Sequence, residues 1–286
     1  MQVPNSSGTA PPRLKAPLNA CDCHMHIYDG ARFPPSRPGA RMTENAGVAE
    51  YRRFQKRIGT SRVVVVQPAA NHTDNTVTLD ALAQLGAQAR GIAVVHPTVT
   101  DAELKSMAAQ GIRGIRFTQF DPKTAATTID MIEPLAKRVA PLGLHVQIHW
   151  RADQIVSGAD LLQRLPGTLV FDHLGRLPQS TGTRDPALGV LRRLLDKGNS
   201  WIKLSGAYMM SGPPRYPDAA PIAQAYIAAA PERVVWGSDW PHPTEGDTLK
   251  PDDAALFDLL SDWAPDEKTR NKILVENPAA LYGFPK

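Results

Sequence analysis

The chain is poor in several features that would settle its class at once. It has two cysteines in 286 residues. Cys21 and Cys23 stand too close for an unstrained disulfide and have no second pair with which to build a zinc site. They read as small apolar residues packing outward from a strand. No apolar run approaches the roughly 18 residues a spanning helix needs. The Pro- and Ser-rich stretch from Met1 to Ala20 has no apolar core of the secretory-signal kind. A cytoplasmic protein with no membrane partner is expected. Charge is also nearly balanced, 32 Lys+Arg against 28 Asp+Glu for a net of +4. The densest basic cluster (Arg52, Arg53, Lys56, Arg57) has the spacing of a solvated helix face, not the stripe a nucleic-acid partner requires. The weak positive bias suits an anionic small molecule. No internal repeat is visible, and 42% hydrophobic with 21% charged residues excludes a disordered chain.

What is present is alternation. Short β-branched runs occur at Asn19–His24, Arg62–Gln67, Gly91–Val95, Gly111–Phe117, Leu144–His149, Thr168–His173, Ser200–Ser205 and Arg233–Asp239. Helical patterns lie between them, at Gly47–Ile58, Asp74–Ala89, Asp101–Gln110, Thr127–Ala140, Asp153–Leu165, Asp185–Asp196, Asp218–Ala230 and Asp252–Trp263, with a further helix at Asp266–Glu276. Val63 to Val66 is uninterrupted apolar sequence, as parallel strands covered on both faces require. Eight strands alternating with eight helices predict a single (β/α)8 barrel over residues 19–286. Residues 1–18 are expected to be a flexible arm. The alternative, an open doubly wound sheet, would want a Gly-rich first turn; the turn here reads His24-Met25-His26-Ile27-Tyr28. Pro-rich loops are expected at Ala31–Arg41, with Pro34, Pro35 and Pro38, and at Ser211–Pro217.

A barrel of this kind works at the C-terminal ends of its strands. The polar residues there are His24, His26, Gln67, Arg116, His149, His173 and Asp239, with His242 just beyond. On a strand, His24 and His26 share one face about 6–7 Å apart, so both nitrogens can grip one metal or donate to one oxyanion. Tyr28, Gln67, Asn71, Arg151 and Tyr208 lie just past strand ends and could shape a pocket. His145, at a strand start, reads as structural, and His72 and His96 as turn residues. Lys203, inside the seventh strand, needs a buried partner; a Schiff-base role competes poorly with the histidine constellation.

The segments Cys21-Asp22-Cys23-His24-Met25-His26, Arg113-Gly114-Ile115-Arg116-Phe117, Phe171-Asp172-His173-Leu174-Gly175-Arg176, Trp236-Gly237-Ser238-Asp239-Trp240-Pro241-His242-Pro243 and Glu276-Asn277-Pro278 together resemble the amidohydrolase superfamily. They resemble the branch that contains 2-pyrone-4,6-dicarboxylate lactonase, from Cys21 onward. The resemblance implies that His24, His26, His173 and Asp239 form the reaction centre and that Arg116 and Arg176 hold substrate carboxylates. Physics agrees: a carboxylate can take a proton from attacking water, imidazoles or a metal can stabilise an oxyanion, and arginines recognise carboxylates bidentately.

Two departures qualify the implied substrate and metal. Where the pyrone lactonases carry a second arginine after the fourth strand, this chain has Thr118-Gln119-Phe120-Asp121-Pro122. Where they carry a tyrosine on the fifth strand, it has His149. The galactarolactone isomerases of the branch replace the first histidine of the His-x-His pair, which this chain keeps. The expected substrate is therefore an anionic lactone other than the pyrone dicarboxylate. The expected metal set is that of metal-dependent relatives, His24, His26, His149 and Asp239, which suits Zn²⁺, with a metal-free centre as the alternative. The expected activity is lactone hydrolysis in the catabolism of aromatic or sugar acids. Lactone isomerisation and metal-dependent decarboxylation are the competing enzymatic readings, and a non-catalytic binding barrel the remaining one. Either a monomer or a homo-oligomer is compatible.

Overall fold

Arg62–Val66 is buried at every position, so this strand must be covered on both faces. The computed structural model describes residues 1–285 except 38, 214, 247 and 248; Pro38 and Pro214 of the expected loops thus lie outside the described residues. Eight strands, β1 (Cys21–Met25), β2 (Arg62–Val66), β3 (Ala89–Ala93), β4 (Ile112–Thr118), β5 (His145–His149), β6 (Leu169–Phe171), β7 (Ser200–Leu204) and β8 (Val234–Trp236), pair in parallel in chain order. Two bonds at the rim bring the first and last strands together: Asp239 N–H donates to His24 O at 2.8 Å, and His26 N–H to Trp240 O at 2.9 Å. Gly237 permits this approach, because a Cβ there would lie 2.7 Å from the His24 Cβ. The architecture is a single (β/α)8 barrel.

The helices are α1 (Val48–Ile58), α2 (Thr76–Leu85), α3 (Asp101–Ala109), α4 (Ile132–Val139), α5 (Ala152–Ser157), α6 (Ala159–Arg164), α7 (Pro186–Asp196), α8 (Ala219–Ala229), α9 (Asp253–Trp263), α10 (Glu267–Asn271) and α11 (Asn277–Tyr282). Their starts follow local chemistry. Thr100 and Glu103 form a reciprocal capping box on α3, and Asp185 accepts from Ala187 N–H while Pro186 opens α7. The single helix expected over Asp153–Leu165 breaks into α5 and α6 at Gly158. The Trp150 ring lies so close that a Cβ on Gly158 would meet it at 2.5 Å. The last helix continues beyond Glu276 through a π-helical stretch, Lys272–Glu276, into α11. Among the described residues, no helix is long and apolar enough to cross a membrane.

Cys21 and Cys23 face the barrel interior, contrary to expectation. They pack with Val64, Val66, Ile92 and Val235. Asp22 is claimed on the outer side by Tyr51 of α1, which leaves its two neighbours inward; a register shift between Asp22 and Met25 then breaks the alternation, so that His24 also reaches interior partners, Asp172 and Lys203. The N-terminal floor is sealed by the segment after α11. Arg90 donates to Tyr282 O and Gly283 O, Arg62 to Pro285 O, and the Phe284 ring lies beneath both guanidinium groups. His145 is buried in this floor with its ring against Tyr282.

Residues 1–18 run along the barrel. Val3 is buried, and Trp240 Nε1–H donates to Pro4 O. Arg57, expected on a solvated face, is instead buried. It donates to Ser6 Oγ, Ser7 O and Ala10 O and pairs with Asp252 at 2.5 Å.

Candidate active site

Several strands end by turning a polar residue toward the rim, and at some of these turns the backbone is left-handed. Asp239 has φ +62°, His173 +50°, Leu174 +54° and Arg176 +54°. Such conformations cost energy in non-glycine residues and cluster where function sets geometry.

Asp239 stands at the centre. Its Oδ1 lies 3.4 Å from His24 Nε2, 3.4 Å from His26 Nε2 and 3.8 Å from His173 Nε2, while Oδ2 accepts from the Tyr208 hydroxyl at 2.5 Å. All four residues of this inner group are buried. Burial pushes the Asp239 carboxyl up, but at the acid pH where the surrounding imidazoles, His173 foremost, are protonated, their charge more than offsets it and holds the group well below the usual carboxylate range. Burial lowers His24 well below the ordinary histidine value and lowers His173 to about 4, so both are neutral at pH 7.

The tautomers follow from the neighbours. His26 Nδ1 lies 2.8 Å from Val66 O; a carbonyl only accepts, so Nδ1 carries the proton and Nε2 presents a lone pair toward Asp239. His24 Nδ1 lies 3.2 Å from both Asp172 Oδ1 and Lys203 Nζ; in the tautomer that turns Nδ1–H toward the carboxylate, Nε2 is bare in the same way. Two lone pairs then face a carboxylate oxygen. His24 Nε2 and Asp239 Oδ1 have no hydrogen-bond partner among the described residues. Such an arrangement calls for a cation or a proton donor between them.

A second, deeper layer holds this one in place. Asp172 Oδ2 accepts from Arg116 Nε at 2.9 Å and Gln147 Nε2 at 3.1 Å. Lys203 Nζ donates to Gln147 Oε1 at 2.8 Å and lies 3.2 Å from His24 Nδ1 and 3.6 Å from Asp172. Burial raises the Asp172 carboxyl, but His24 where it is protonated, together with the Arg116 and Lys203 charges, outweighs it and keeps Asp172 well below the ordinary carboxylate range. This layer was not assigned from sequence, apart from the need of Lys203 for a partner. Its members come from strands 25 to 56 residues apart, and only closure of the barrel brings them together.

His24, His26, His173 and Asp239 therefore meet, whereas other expected residues do not. His149 belongs to neither group of convergent ligand atoms, which are His24, His26 and Asp239, and His24, Asp172 and His173. Its ring stacks on Phe120 at 5.6 Å and stands edge-on to His173 at 5.1 Å, which corrects the four-ligand set. Gln67 is fully engaged elsewhere: its amide donates to His72 O and Asp74 O and accepts from Thr78, fastening the loop before α2. Asn71 likewise ties down Phe33 O and Pro34 O. Arg151 is paired bidentate with Asp153 and donates to Phe120 O. Arg116 borders the cavity with its Nε committed to Asp172. Tyr208 acts on Asp239 and meets the buried His242 ring edge-on, His242 in turn pairing with Asp253 at 3.0 Å.

The rim group opens into a cavity of about 240 Å³ lined by His26, Tyr28, Arg116, His149, His173 and Asp239 among others. Beside it lies a wider groove of about 1000 Å³, walled by Phe120, Arg176 and Tyr208; Met209 lines both.

A barrel with imidazoles from β1 and the β6 end gathered around a carboxylate after β8 is the pattern of one class of hydrolytic enzymes. The chain belongs to the amidohydrolase family, whose model matches residues 21–284. It is 34% identical to a 2-pyrone-4,6-dicarboxylate hydrolase of Comamonas testosteroni, covering 95% of this chain and 92% of that protein. It is also 34% identical to a 4-sulfomuconolactone hydrolase of Rhizobium radiobacter (96% and 93% covered) and 33% identical to a D-galactarolactone isomerase of Agrobacterium fabrum (96% and 94%). Among solved structures, a probable 2-pyrone-4,6-dicarboxylic acid hydrolase of Acinetobacter baumannii with citric acid bound is 28% identical. It superposes with TM-score 0.81 over 93% of this chain and 100% of that one.

Proposed function

We propose that this enzyme is a lactonase that opens a small anionic lactone by attack of water on the ring ester carbonyl. The carrying observation is the unpartnered Asp239 Oδ1, faced by three imidazole Nε2 atoms within 3.8 Å. Its relatives named as lactone hydrolases support the reading. Asp239 is ionised at neutral pH and takes the proton from water as the C–O bond forms. Tyr208, donating to Oδ2, fixes the plane of the carboxylate so that Oδ1 faces the reacting atoms. His173 lies 3.0 Å from Ser205 Oγ through Nδ1; with the hydroxyl donating, its Nε2–H is free to polarise the carbonyl and stabilise the oxyanion. Asp172 and Lys203 orient His24 from below. Arg176 and the cavity-facing part of Arg116 supply positive charge for a substrate carboxylate.

The donor set fits a divalent transition metal, because the lone pairs of His24 and His26 and Oδ1 of Asp239 converge, and both histidines have acceptors for their second nitrogen, as metal-bound imidazoles require. Those three residues would hold the ion, and zinc suits them. When bound, it would supply Lewis acidity and lower the pKa of a coordinated water.

The absence of a second arginine at 118–122 supports a substrate other than the pyrone dicarboxylate, and the proposal extends to a role in the breakdown of aromatic or sugar acids. Isomerisation would use the same centre with a substrate hydroxyl in place of water, a reading favoured by the isomerase relative. Asp239→Asn tests the assignment: turnover of a lactone carboxylate, followed by base consumption, should fall by about a thousandfold or more with substrate binding retained. Activity within tenfold of wild type removes Asp239 as the base. Product analysis by NMR separates ring-opened acid from isomeric lactone, and CO₂ release would mark a decarboxylase.

A further inference from the structure

The central cavity and its neighbour differ in size and in chemistry. At about 240 Å³, the central cavity falls below the roughly 300–1,000 Å³ that takes a drug-sized ligand; a single lactone ring with its carboxylate fills it. The adjoining groove is about four times larger, at about 1000 Å³, and its walls include Phe120, Val156, Leu177, Pro178, Met209 and Met210. Phe120 is 36% and Val156 40% exposed, two of the six exposed large hydrophobic residues among those described. Phe120 also has two ring partners. The Arg176 guanidinium lies over its ring at 4.2 Å, and the His149 ring is stacked with it, tilted by only 7°. Arg176 lines the groove and donates to the sulfur of Met209, the residue that borders both spaces, whereas Arg151, also on the groove, is already neutralised by Asp153.

We infer that the substrate is an anionic lactone carrying an aryl substituent. Its ring sits at Asp239, its carboxylate meets Arg176 beside Met209, and its aryl group passes that methionine into the groove lined by Phe120, Val156 and Met210. This rests on the lactonase reading and narrows it to a substrate class. Continuity with the reacting centre makes a substituent of the substrate itself the occupant. An aromatic wall and flexible, polarisable methionines suit an aryl group.

The test separates binding from turnover. Two lactam carboxylates, with the ring ester replaced by an amide, are compared by calorimetry; one carries a phenyl group on the ring and the other does not. The phenyl lactam should bind about tenfold tighter or more. Val156→Asp, a substitution at a partly exposed helix position whose folding is checked by circular dichroism, should reduce that ratio to within about threefold. Equal binding of the two lactams, or a ratio untouched by Val156→Asp, overturns the aryl-groove inference. The corresponding lactones are then assayed for ring opening. If the phenyl lactam binds tightly but neither lactone is opened, the lactonase reading fails while the groove assignment stands.

Discussion

Asp22 offers a direct measurement of what burial costs in this barrel. It is fully buried and, among the described residues, has four donors but no cation in hydrogen-bond contact: the Tyr51 hydroxyl at 3.0 Å, the Ser238 hydroxyl at 2.6 Å, and the backbone N–H groups of Ser238 and His24 at 2.9 and 3.2 Å. Desolvation outweighs those hydrogen bonds and raises its pKa from 3.8 to about 6. The folded state therefore holds the proton more tightly than the unfolded chain does. The stability tied to that proton is complete below about pH 4 and is lost as pH rises through 6, a total of about 3 kcal/mol. Asp22→Asn cannot titrate. Its unfolding free energy minus that of wild type, measured in urea, should rise by about 2 kcal/mol between pH 4.5 and 7.5. Lost hydrogen bonds shift the whole curve by a constant and leave this slope intact. A difference flat to within about 0.5 kcal/mol would refute the reasoning and show that the four donors keep Asp22 at its ordinary value.

Three further outcomes follow from the same geometry. Arg116→Met breaks a buried pair with Asp172 and should lower stability by about 3 kcal/mol, slowing neutral lactones and, more strongly, anionic ones; Arg176→Met should raise KM chiefly for the anionic ones, and an equal loss for both kinds of substrate would remove its carboxylate role. Protein purified without chelator should carry about one zinc or similar ion per chain, and His26→Ala should lower that content; elemental analysis finding far less, with a rate unchanged by prolonged chelation, would defeat the metal reading. Phe284→Ala should cost about 3–5 kcal/mol in urea unfolding with KM unchanged, because the floor lies at the opposite end of the barrel from the rim.

The alternation of strands and helices made the barrel legible, and the rule that strand ends carry chemistry selected His24, His26, His173 and Asp239. That rule names positions but not directions. Gln67 and His149 both end strands, yet one side chain is drawn into a loop by three hydrogen bonds and the other onto Phe120. The Asp172–Gln147–Lys203 layer was hidden because its polar residues lie within or directly after apolar strands, and only closure reveals their partners. Cys21 and Cys23 were assigned to the wrong face because the strand is irregular: Asp22 is drawn outward by Tyr51 and Ser238 from distant parts of the chain, and a register shift before Met25 lets His24 face inward as well. The helix split at Gly158 depends on a tryptophan eight residues earlier, a packing constraint that periodicity does not register.

The floor segment has a consequence for the order in which the barrel is completed. Arg62 and Arg90 stand some two hundred residues of chain from the carbonyl groups they bind, so the floor is completed only when residues 282–285 dock. Long-range closure of this kind is slow. In the finished protein, Tyr282 and Phe284 stand between water and the thiols of Cys21 and Cys23, and burial raises the Cys21 thiol well above its ordinary value. Alkylation then has to wait for an opening of the floor. The two cysteines thus form a built-in clock for that motion, read at the end of the barrel where no chemistry takes place.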